Sequence, residues 1–552
     1  MSDNSLNEKK RPAIWPYLIM LALLAAQLAS SLAWLDAVRY PFGAFHLSWS
    51  YGYAHTLQEQ GLIAMLNKWG GETYYPPMTV SLWAVFHNVF GLSRNSVPFA
   101  NTFCFLLCFL CLNSLARRAT QTNWAGPLAC ALMLVAPHLA FYSRVPLYEV
   151  PMGAMLVIMV WGLLASERFS RPLPLVAAAL AFAAGMLMKW TFVAYAIGPL
   201  LFTVSESFVY GYWRKRDGMG PFLTGRQILV GATGLILAGG LIAPWYLFAL
   251  SWKEIAATAP ADATPGGFAD QALWYLKLMY KQNLSKPLTT ALVVCLPWLA
   301  AGKRIREGAS ILAALLGAYL VFTLIPHKDH RYATTLIPLC ALGIAVGLAN
   351  AGRILGGVWE KCAALVGVGL VVLGAWNVYD MSFRKNILPL DSGHLAEKPI
   401  ECLNDFDNTF AKLQNHLRDF PEDKVVTLAI HPFSPMTLSF HLDLAQYFVN
   451  LYNAQGSRSA LAIGFENQDY EIFPKRYLEA DLLLVTQGVW DMSREQMEKS
   501  LKDMTDFNNP GAAPPPLPEN DPQYRELIEA SFTEVESIPT QCAGVVHVYK
   551  KN

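Results

Sequence analysis

Charged side chains are scarce in this chain. Asp, Glu, Lys and Arg make up 15% of its 552 residues, whereas a soluble domain usually carries about a quarter. The charges also balance, because 42 basic residues oppose 41 acidic ones and leave a formal net charge of +1. The chain therefore lacks the global positive charge that is typical of nucleic-acid-binding proteins. Any cationic function must be local, and we expect no nucleic-acid partner.

Internal repeats are also missing, which disfavours the usual architecture of secondary transporters. An Asp-x-Asp pattern is found only in "DFD" at 405–407, within the polar C-terminal region. The sequence therefore predicts no metal site and no cofactor, and it leaves dependence on a divalent metal open.

Long apolar segments take the place of charge. A bilayer-spanning helix needs about 20 mostly apolar residues. Roughly eleven segments meet this requirement. The predicted spans lie near 13–34, 97–116, 123–141, 147–166, 172–189, 190–208, 227–250, 287–302, 307–326, 332–351 and 360–379. The first follows "NEKKRP" and is expected to be a signal anchor, because it is long and further spans follow.

Short basic loops predict the orientation of these spans. The loops "ARRATQTN", "SERFSRP", "YWRKRDG", "GKRIREG" and "NAGRIL" all fall on one side, together with the N-terminal "EKKR". By the positive-inside rule this side is the cytoplasm. The N-terminus is then cytoplasmic, and the C-terminal region is external.

Three zones follow from this pattern. Residues 1–12 form a cytoplasmic tail, 13–379 form the membrane domain with a first external loop at 35–78, and 380–552 form an external region. In the external region, "KVVTLAIHP", "ADLLLVTQG" and "AGVVHVYKK" predict strands, and "SREQMEKSLKDMTDF" and "QYRELIEASFTEV" predict amphipathic helices. "NNPGAAPPPLPENDP" predicts a loop. We expect a small α/β domain that recognises an acceptor or covers the site, since it has no nucleotide-binding glycine loop and no nucleophile–base signature.

Seven of the nine cysteines lie in or near apolar spans and are expected to be packing residues. Cys402 and Cys542 lie in the external region, where a disulfide is permitted. Their pairing is left open.

Ionisable residues converge on the predicted external face. A lysine or arginine at a helix end often only reaches toward the headgroups, Glu149 could cap the helix that follows, and Asp329 could form a local ion pair with Arg331. Together, however, such groups at membrane depth are candidates for function. The candidates are Asp36, Glu72, Arg144, Glu149, Lys189, His327, Lys328, His330 and Arg331.

This set of groups suits sugar transfer from a polyprenyl-phosphate donor. The cations Arg144, Lys189, His327, Lys328, His330 and Arg331 are expected to bind the substrates and stabilise the charge on the leaving phosphate. A carboxylate among Asp36, Glu72 and Glu149 would act as general base. A single displacement would invert the anomeric centre. The alternatives are a degenerate relative that binds lipid-linked sugar or glycan, and a lipid or solute transporter, which the clean spans disfavour.

The sequence resembles the C-type (GT-C) membrane glycosyltransferases of family 39, which include protein O-mannosyltransferases and the lipid A aminoarabinose transferase. The resemblance covers about residues 13–351. It rests on "YYPPMTVSLWAVFHNVFGLSRNSVPFAN", "ALMLVAPHLAFYSRVPLYEVPMGAMLVIMVW", "AFAAGMLMKWTFVAY" and "HKDHRYATTLIPLCALGIA". It implies a polytopic helical fold in the bacterial inner membrane, a polyprenyl-phosphate sugar donor, a lipid, glycan or protein acceptor, and no essential metal site of the Asp-x-Asp type.

The chain departs from this family in its first external loop. The family usually has an acidic residue before the Tyr-rich helix, but "AFHLSWSYGYAHTL" has no acid before Tyr51. Tyr75 also stands where the family has a lysine before Pro76. The identity of the base is therefore left open among Asp36, Glu149 and His46, and so is a loss or change of activity.

Overall fold

The structure is a computed structural model that describes most of the membrane region and part of the C-terminal region. The described residues are 13–37, 44–70, 75–217, 219, 222–248, 268–301, 304–325, 328–384, 387–389, 395–397, 409, 411–421, 424–430, 460–462, 480–486, 523–539 and 545–552. The predictions for Glu72, His327, Cys402, Cys542, the helix at 493–507 and the proline-rich loop at 508–522 lie outside these residues.

Helices form almost all of the membrane region. Seven helices in the described part of the chain are long and apolar enough to cross a bilayer, and each coincides with a predicted span. They are Trp15–Ala37, Ser96–Thr120, Phe192–Arg216, Gly225–Phe248, Ile305–Leu324, Ile337–Leu355 and Val358–Arg384, the last ending in a π-helical turn at Asp380–Arg384.

The other four predicted spans coincide with shorter apolar helices. These are Ala125–Leu134 followed by Pro137–Tyr142, then Glu149–Ala165, Pro172–Met188 and Lys286–Leu299. The break before Pro137 has a local cause. Ala136 adopts an extended conformation (φ −76°, ψ 121°), because the ring of a following proline disfavours the helical region.

Additional helices lie at the end of the bundle that carries the candidate residues. They are Ala44–Asn67, a 3₁₀ turn at Lys68–Gly70, Met78–Phe90, Phe268–Leu278 with a π-helical turn at Met279–Asn283, and Arg331–Thr334. The first bends at Gly61, whose φ of +83° is a conformation that glycine adopts without strain.

Close helix contacts form the membrane core. The helices Phe192–Arg216 and Ile305–Leu324 meet at Gly198 and Gly317, where a Cβ added to Gly317 would lie 2.6 Å from the Cα of Gly198. Small residues at such a crossing let two backbones approach and pack by van der Waals contact.

At the opposite end of the bundle, one carboxylate on Phe192–Arg216 joins two loop regions. Glu206 Oε2 lies 3.1 Å from Arg306 Nε, and Glu206 Oε1 also pairs with Arg168. Because these arginines belong to two of the predicted cytoplasmic loops, the contact agrees with the predicted grouping of the basic loops at one membrane face.

A five-stranded sheet lies near the C-terminus. Val426–Ile430 pairs in parallel with Ala460–Ala462 and Leu482–Thr486. Val545–Lys551 runs antiparallel between Leu482–Thr486 and the edge strand Phe532–Pro539. Two short strands, Ile387–Pro389 and Leu395–Glu397, form a separate antiparallel pair. The three predicted strands are confirmed, and the mostly helical fold class with a small C-terminal sheet region agrees with the sequence prediction.

The predicted helix at 523–535 is wrong in its last four residues. The helix Gln523–Ser531 ends where Phe532–Pro539 begins as a strand. The β-branched residues Thr533, Val535 and Ile538 favour an extended pleated conformation, and pairing with Val545–Lys551 satisfies the backbone groups.

Candidate active site

A polar cluster forms where several helix ends meet. It combines Glu149 at the start of Glu149–Ala165, Lys189 just after Pro172–Met188, and the segment 329–332. His46 on Ala44–Asn67 and Tyr75, before Met78–Phe90, lie beside it. We call this group the polar cluster.

Glu149 is one of two carboxylates in the polar cluster, together with Asp329. Its side chain is 2% exposed, and its Oε2 atom has no hydrogen-bond partner among the described residues. It interacts electrostatically with Lys189 and Arg331. As the first residue of its helix, it also lies at the positive end of the helix dipole. A buried carboxylate oxygen with no partner is costly, and it is available to accept a proton from a substrate.

Lys189 supplies a cation from a second helix. Its extended backbone (φ −156°, ψ 133°) ends Pro172–Met188. The ammonium lies 5.5 Å from the ring centroid of Tyr332 and 5.9 Å from that of Tyr75. Such aromatic faces attract a cation, and they help to hold the Lys189 ammonium within the polar cluster.

Asp329 and Arg331 form a tight ion pair. Arg331 Nε lies 2.9 Å from Asp329 Oδ2, Arg331 Nη2 lies 2.8 Å from the same atom, and the Arg331 backbone N–H donates to Oδ1 over 2.8 Å. Burial alone would raise the pKa of Asp329, but the cations Arg331 and Lys189 outweigh it and hold this pKa below its usual value. The ion pair considered from the sequence is therefore present, and it fixes the orientation of the Arg331 guanidinium.

Lys328 serves the end of a helix in this structure. Its ammonium donates to the carbonyl oxygens of Phe322 and Thr323 at 2.7 Å and of Ile325 at 2.5 Å. Those carbonyls belong to the last turn of Ile305–Leu324 and the residue after it, where a cation compensates unpaired acceptors and the helix dipole. All three N–H bonds of Lys328 are used in this arrangement.

His330 belongs to a buried hydrogen-bond network. Its Nε2 lies 3.1 Å from the Tyr142 hydroxyl, and its carbonyl oxygen accepts from Asn283 Nδ2 over 3.2 Å. The same Nδ2 lies 2.9 Å from His138 Nδ1. Because a carbonyl can only accept, the amide nitrogen of Asn283 must be the donor, and His138 Nδ1 must accept. The network holds the segment that carries Asp329 and Arg331.

Aromatic rings form one wall of the polar cluster. The Tyr148 hydroxyl lies 3.2 Å from His46 Nδ1, and the Tyr75 and Tyr148 rings stack with centroids 5.4 Å apart. Burial, followed by the charges of Arg331 and Lys189, lowers the pKa of His46 to about 3. A histidine with so low a pKa is neutral and a weak base near pH 7, so Glu149 is the better placed of these two candidate bases.

Arg144 contacts a different set of residues. Its Nη1 donates to Ser382 Oγ over 2.8 Å, and its guanidinium lies 5.2 Å from the Trp34 ring centroid and 5.8 Å from that of Phe383. Burial lowers the pKa of Arg144 to about 9. The side chain thus links the turn before Glu149 to the end of the last span.

Asp36 lies in the last turn of Trp15–Ala37 and is exposed. Asp36 is therefore less buried than Glu149. Within the described part of the chain, no group of three His, Cys, Asp or Glu side chains could hold a metal ion.

The structure thus brings Glu149, Lys189 and Arg331 together from three separate segments. Sequence reasoning missed the contributions of Tyr75, Tyr148, Asn283 and His138. The first two lie in the quoted stretches "YYPP" and "PLYEV", where the aromatic residues next to Pro76 and Glu149 were a usable signal. The buried amide and imidazole pair came from helices far apart in sequence and had no such signal.

Comparisons with known proteins agree with this architecture. A sequence model of the dolichyl-phosphate-mannose-protein mannosyltransferase family matches residues 75–236, which is less than a third of the chain and includes Tyr75, Glu149 and Lys189. No curated protein matches the sequence significantly.

Two solved structures are similar over nearly the whole chain. ArnT from Cupriavidus metallidurans bound to undecaprenyl phosphate aligns with 97% of this chain and 98% of its own, at 13% identity and a TM-score of 0.60. The same organism's ArnT in the apo state aligns with 96% of this chain and 97% of its own, at 13% identity and a TM-score of 0.55. The resemblance inferred from the sequence is confirmed, and the chain is a multi-pass membrane protein with the fold of the C-type membrane glycosyltransferases.

Proposed function

We propose that this protein is an inverting glycosyltransferase that moves a sugar from a polyprenyl-monophosphate donor to an envelope lipid, glycan or protein acceptor. The observation that carries the proposal is the buried Glu149 carboxylate, which has an unpartnered oxygen and interacts with Lys189 and Arg331. The fold shared with ArnT supports the same class of reaction.

In this mechanism Glu149 accepts the proton of the acceptor hydroxyl. The acceptor oxygen then attacks the anomeric carbon while the bond from that carbon to the phosphate oxygen breaks. Polyprenyl phosphate leaves with the bonding electrons, and the anomeric centre is inverted. A positioned general base contributes about 10²–10⁴-fold to such a step.

Lys189 and Arg331 stabilise the negative charge that grows on the leaving phosphate. Both cations are held in place before the substrate arrives, Lys189 between two aromatic rings and Arg331 by Asp329. Groups fixed in this way need no reorganisation during the reaction. Arg144, His330 and Lys328 remain candidates for substrate contacts, although the structure gives each of them another partner. Asp36 remains an alternative candidate for the base.

We further propose that the reaction takes place at the external face of the bacterial inner membrane and that the N-terminus is cytoplasmic. The support is the grouping of basic loops around Glu206 at the other end of the bundle, combined with the positive-inside rule.

The experiment is a donor-consumption assay with the purified full-length protein in detergent. A panel of polyprenyl-monophosphate sugars is supplied with candidate acceptors, and loss of each donor is followed by mass spectrometry for wild type, Glu149→Gln and Glu307→Gln. Glu307 is a matched control, because it is also a buried glutamate in the first turn of a helix but lies at the opposite end of the bundle.

We expect turnover of one donor by the wild type and the control, and a loss of at least about 10²-fold in Glu149→Gln. Donor binding without turnover would indicate a degenerate relative. Turnover by Glu149→Gln at the wild-type rate would contradict the assignment of the base, and Asp36→Asn and Glu72→Gln would then be compared in the same assay.

A further inference from the structure

A cavity with a partly polar lining lies between the start of Trp15–Ala37 and the end of Ser96–Thr120. Its volume is about 460 Å³, and Tyr17, Asn113, Arg117, Arg118 and Gln121 contribute to its lining. A cavity of this size is large enough for a small polar group. It contains residues that the proposed sugar transfer does not use.

This cavity is remote from the polar cluster. At the start of Ser96–Thr120, Asn101 Nδ2 donates to the carbonyl oxygen of Ser143 over 3.0 Å, next to Tyr142 of the buried network. Arg117 follows sixteen residues later on the same helix, which corresponds to about 24 Å along the helix axis. The two sites therefore lie near opposite ends of the bundle.

The cavity carries positive charge that no carboxylate among its described lining residues balances. Its lining includes two arginines and no carboxylate. Within the described part of the chain, Arg117 and Arg118 form no ion pair, whereas Arg168 and Arg306 share the carboxylate of Glu206. Two half-buried guanidinium groups side by side repel each other, and an anion would relieve this repulsion.

Exposed apolar surface borders the cavity. Tyr17 is 41% and Leu110 is 44% exposed, and both line the cavity on helices long and apolar enough to cross a bilayer. The headgroup of a lipid that lies against these helices can therefore reach the arginines. Asn113 and Gln121 add neutral amides that can bond to hydroxyl or ester oxygens of a headgroup.

We propose that this cavity binds the phosphodiester headgroup of an anionic phospholipid in the leaflet opposite the active site. Arg117 and Arg118 contact the phosphate, and the acyl chains lie along the exposed apolar surface near Leu110. A lipid in this position bridges the first span and Ser96–Thr120. The inference does not depend on the proposed glycosyltransferase activity.

The test is native mass spectrometry of delipidated full-length protein in detergent, titrated with phosphatidylglycerol, with phosphatidylcholine or with inorganic phosphate. The variants are Arg117→Gln/Arg118→Gln and Leu110→Trp, which fills the cavity without changing charge. The control is Arg214→Gln/Lys215→Gln, which removes two cations from the end of Phe192–Arg216 and leaves the cavity intact.

We expect phosphatidylglycerol to bind the wild type and the control, and to bind the double arginine variant about thirtyfold more weakly, since each cation near an anionic lipid surface contributes a factor of about five. Leu110→Trp should lose binding as well, and it decides the question if the double variant does not fold. Equal loss in the control would show general surface attraction and overturn the proposal. Binding of phosphatidylcholine at equal strength, or displacement of the lipid by inorganic phosphate at equal concentration, would overturn it too.

Discussion

Two lysines among the candidate residues are expected to respond differently to the same substitution. Lys189 lies between the rings of Tyr75 and Tyr332 and interacts with Glu149. Lys328 donates to three carbonyl oxygens at the end of Ile305–Leu324. Replacing each by methionine leaves an unbranched side chain that is one atom shorter and removes the charge.

For Lys189→Met we expect a loss of donor turnover of about 10²–10³-fold, the range for removing one fixed group that stabilises transition-state charge. The thermal stability should change little, because methionine can keep the packing between the two rings.

For Lys328→Met we expect a loss of stability of about 2 kcal/mol. A hydrogen bond to a charged group contributes about 1.5–3 kcal/mol, and the sum over three such bonds is reduced because the ammonium is only partly buried and water competes for it. Donor turnover should remain within about tenfold of wild type at a temperature where the variant is folded.

Both quantities can be measured on the same preparations. Donor loss by mass spectrometry reports turnover. A thiol-reactive fluorogenic dye reports unfolding, because five cysteines become reactive only when the helices separate. They are Cys104, Cys108, Cys130, Cys295 and Cys340, all buried and free. The reasoning would be refuted if Lys189→Met retained turnover, or if a folded Lys328→Met lost donor binding while its thermal transition was unchanged.

Three further predictions follow from contacts elsewhere in the bundle. Asp329→Asn should lower the thermal midpoint at pH 7, because despite burial the cations hold the pKa of Asp329 below its usual value. The stabilisation by the ionised Asp329 is present above the unfolded-state pKa of about 4 and is lost as the pH falls below it. If the variant's thermal midpoint lay below that of the wild type by the same amount at pH 7 and at about pH 3, the result would contradict the ion pair with Arg331. His46→Gln should not change the shape of the pH profile of turnover between about pH 5.5 and 8.5, because burial and nearby cations lower the pKa of His46 to about 3. If the wild type showed an inflection near the ordinary histidine pKa and the variant did not, this prediction would be wrong. Glu206→Gln should lower the stability by about 1–2 kcal/mol, which is between the values for exposed and buried ion pairs, since it removes the carboxylate that pairs with Arg306. An unchanged thermal midpoint in the dye assay would count against this contact.

The spans could be predicted from the sequence because their cause is local. A helix must bury its backbone polar groups within about 20 apolar residues to cross a bilayer, and this requirement places its ends within a few residues. The predicted spans 307–326 and 360–379 thus correspond to Ile305–Leu324 and Val358–Tyr379. The break between Leu134 and Pro137 was missed, because one proline divides an apolar run without changing its mean hydropathy.

The error at 523–535 has a different cause. The segment "QYRELIEASFTEV" has an amphipathic helical period throughout, but its last residues pair with Val545–Lys551. Strand formation here depends on a partner further along the chain, so the periodicity of the segment alone could not show where the helix ends.

The charged stretch at 327–331 shows why a cluster in sequence need not be a cluster in function. Four of its residues are described, and each has its own partner: Lys328 at a helix end, Asp329 with Arg331, and His330 with Tyr142. These residues are adjacent because they lie in a short connection between two spans. Such a connection contains polar residues close together even when each has a different role.

The cation that joins Arg331 near Glu149 comes instead from Lys189, about 140 residues earlier in the chain. Lys189 stands alone in the stretch "GMLMKWTF", and a single lysine at a helix end has an ordinary explanation. Two features distinguish Lys189. Its backbone is extended after Met188, and its ammonium lies near the rings of Tyr75 and Tyr332. Both depend on the packing of other helices. Residues that converge from separate spans therefore could not be identified as one site from the sequence alone. Glu149→Gln and Lys189→Met are the substitutions that test this convergence most directly.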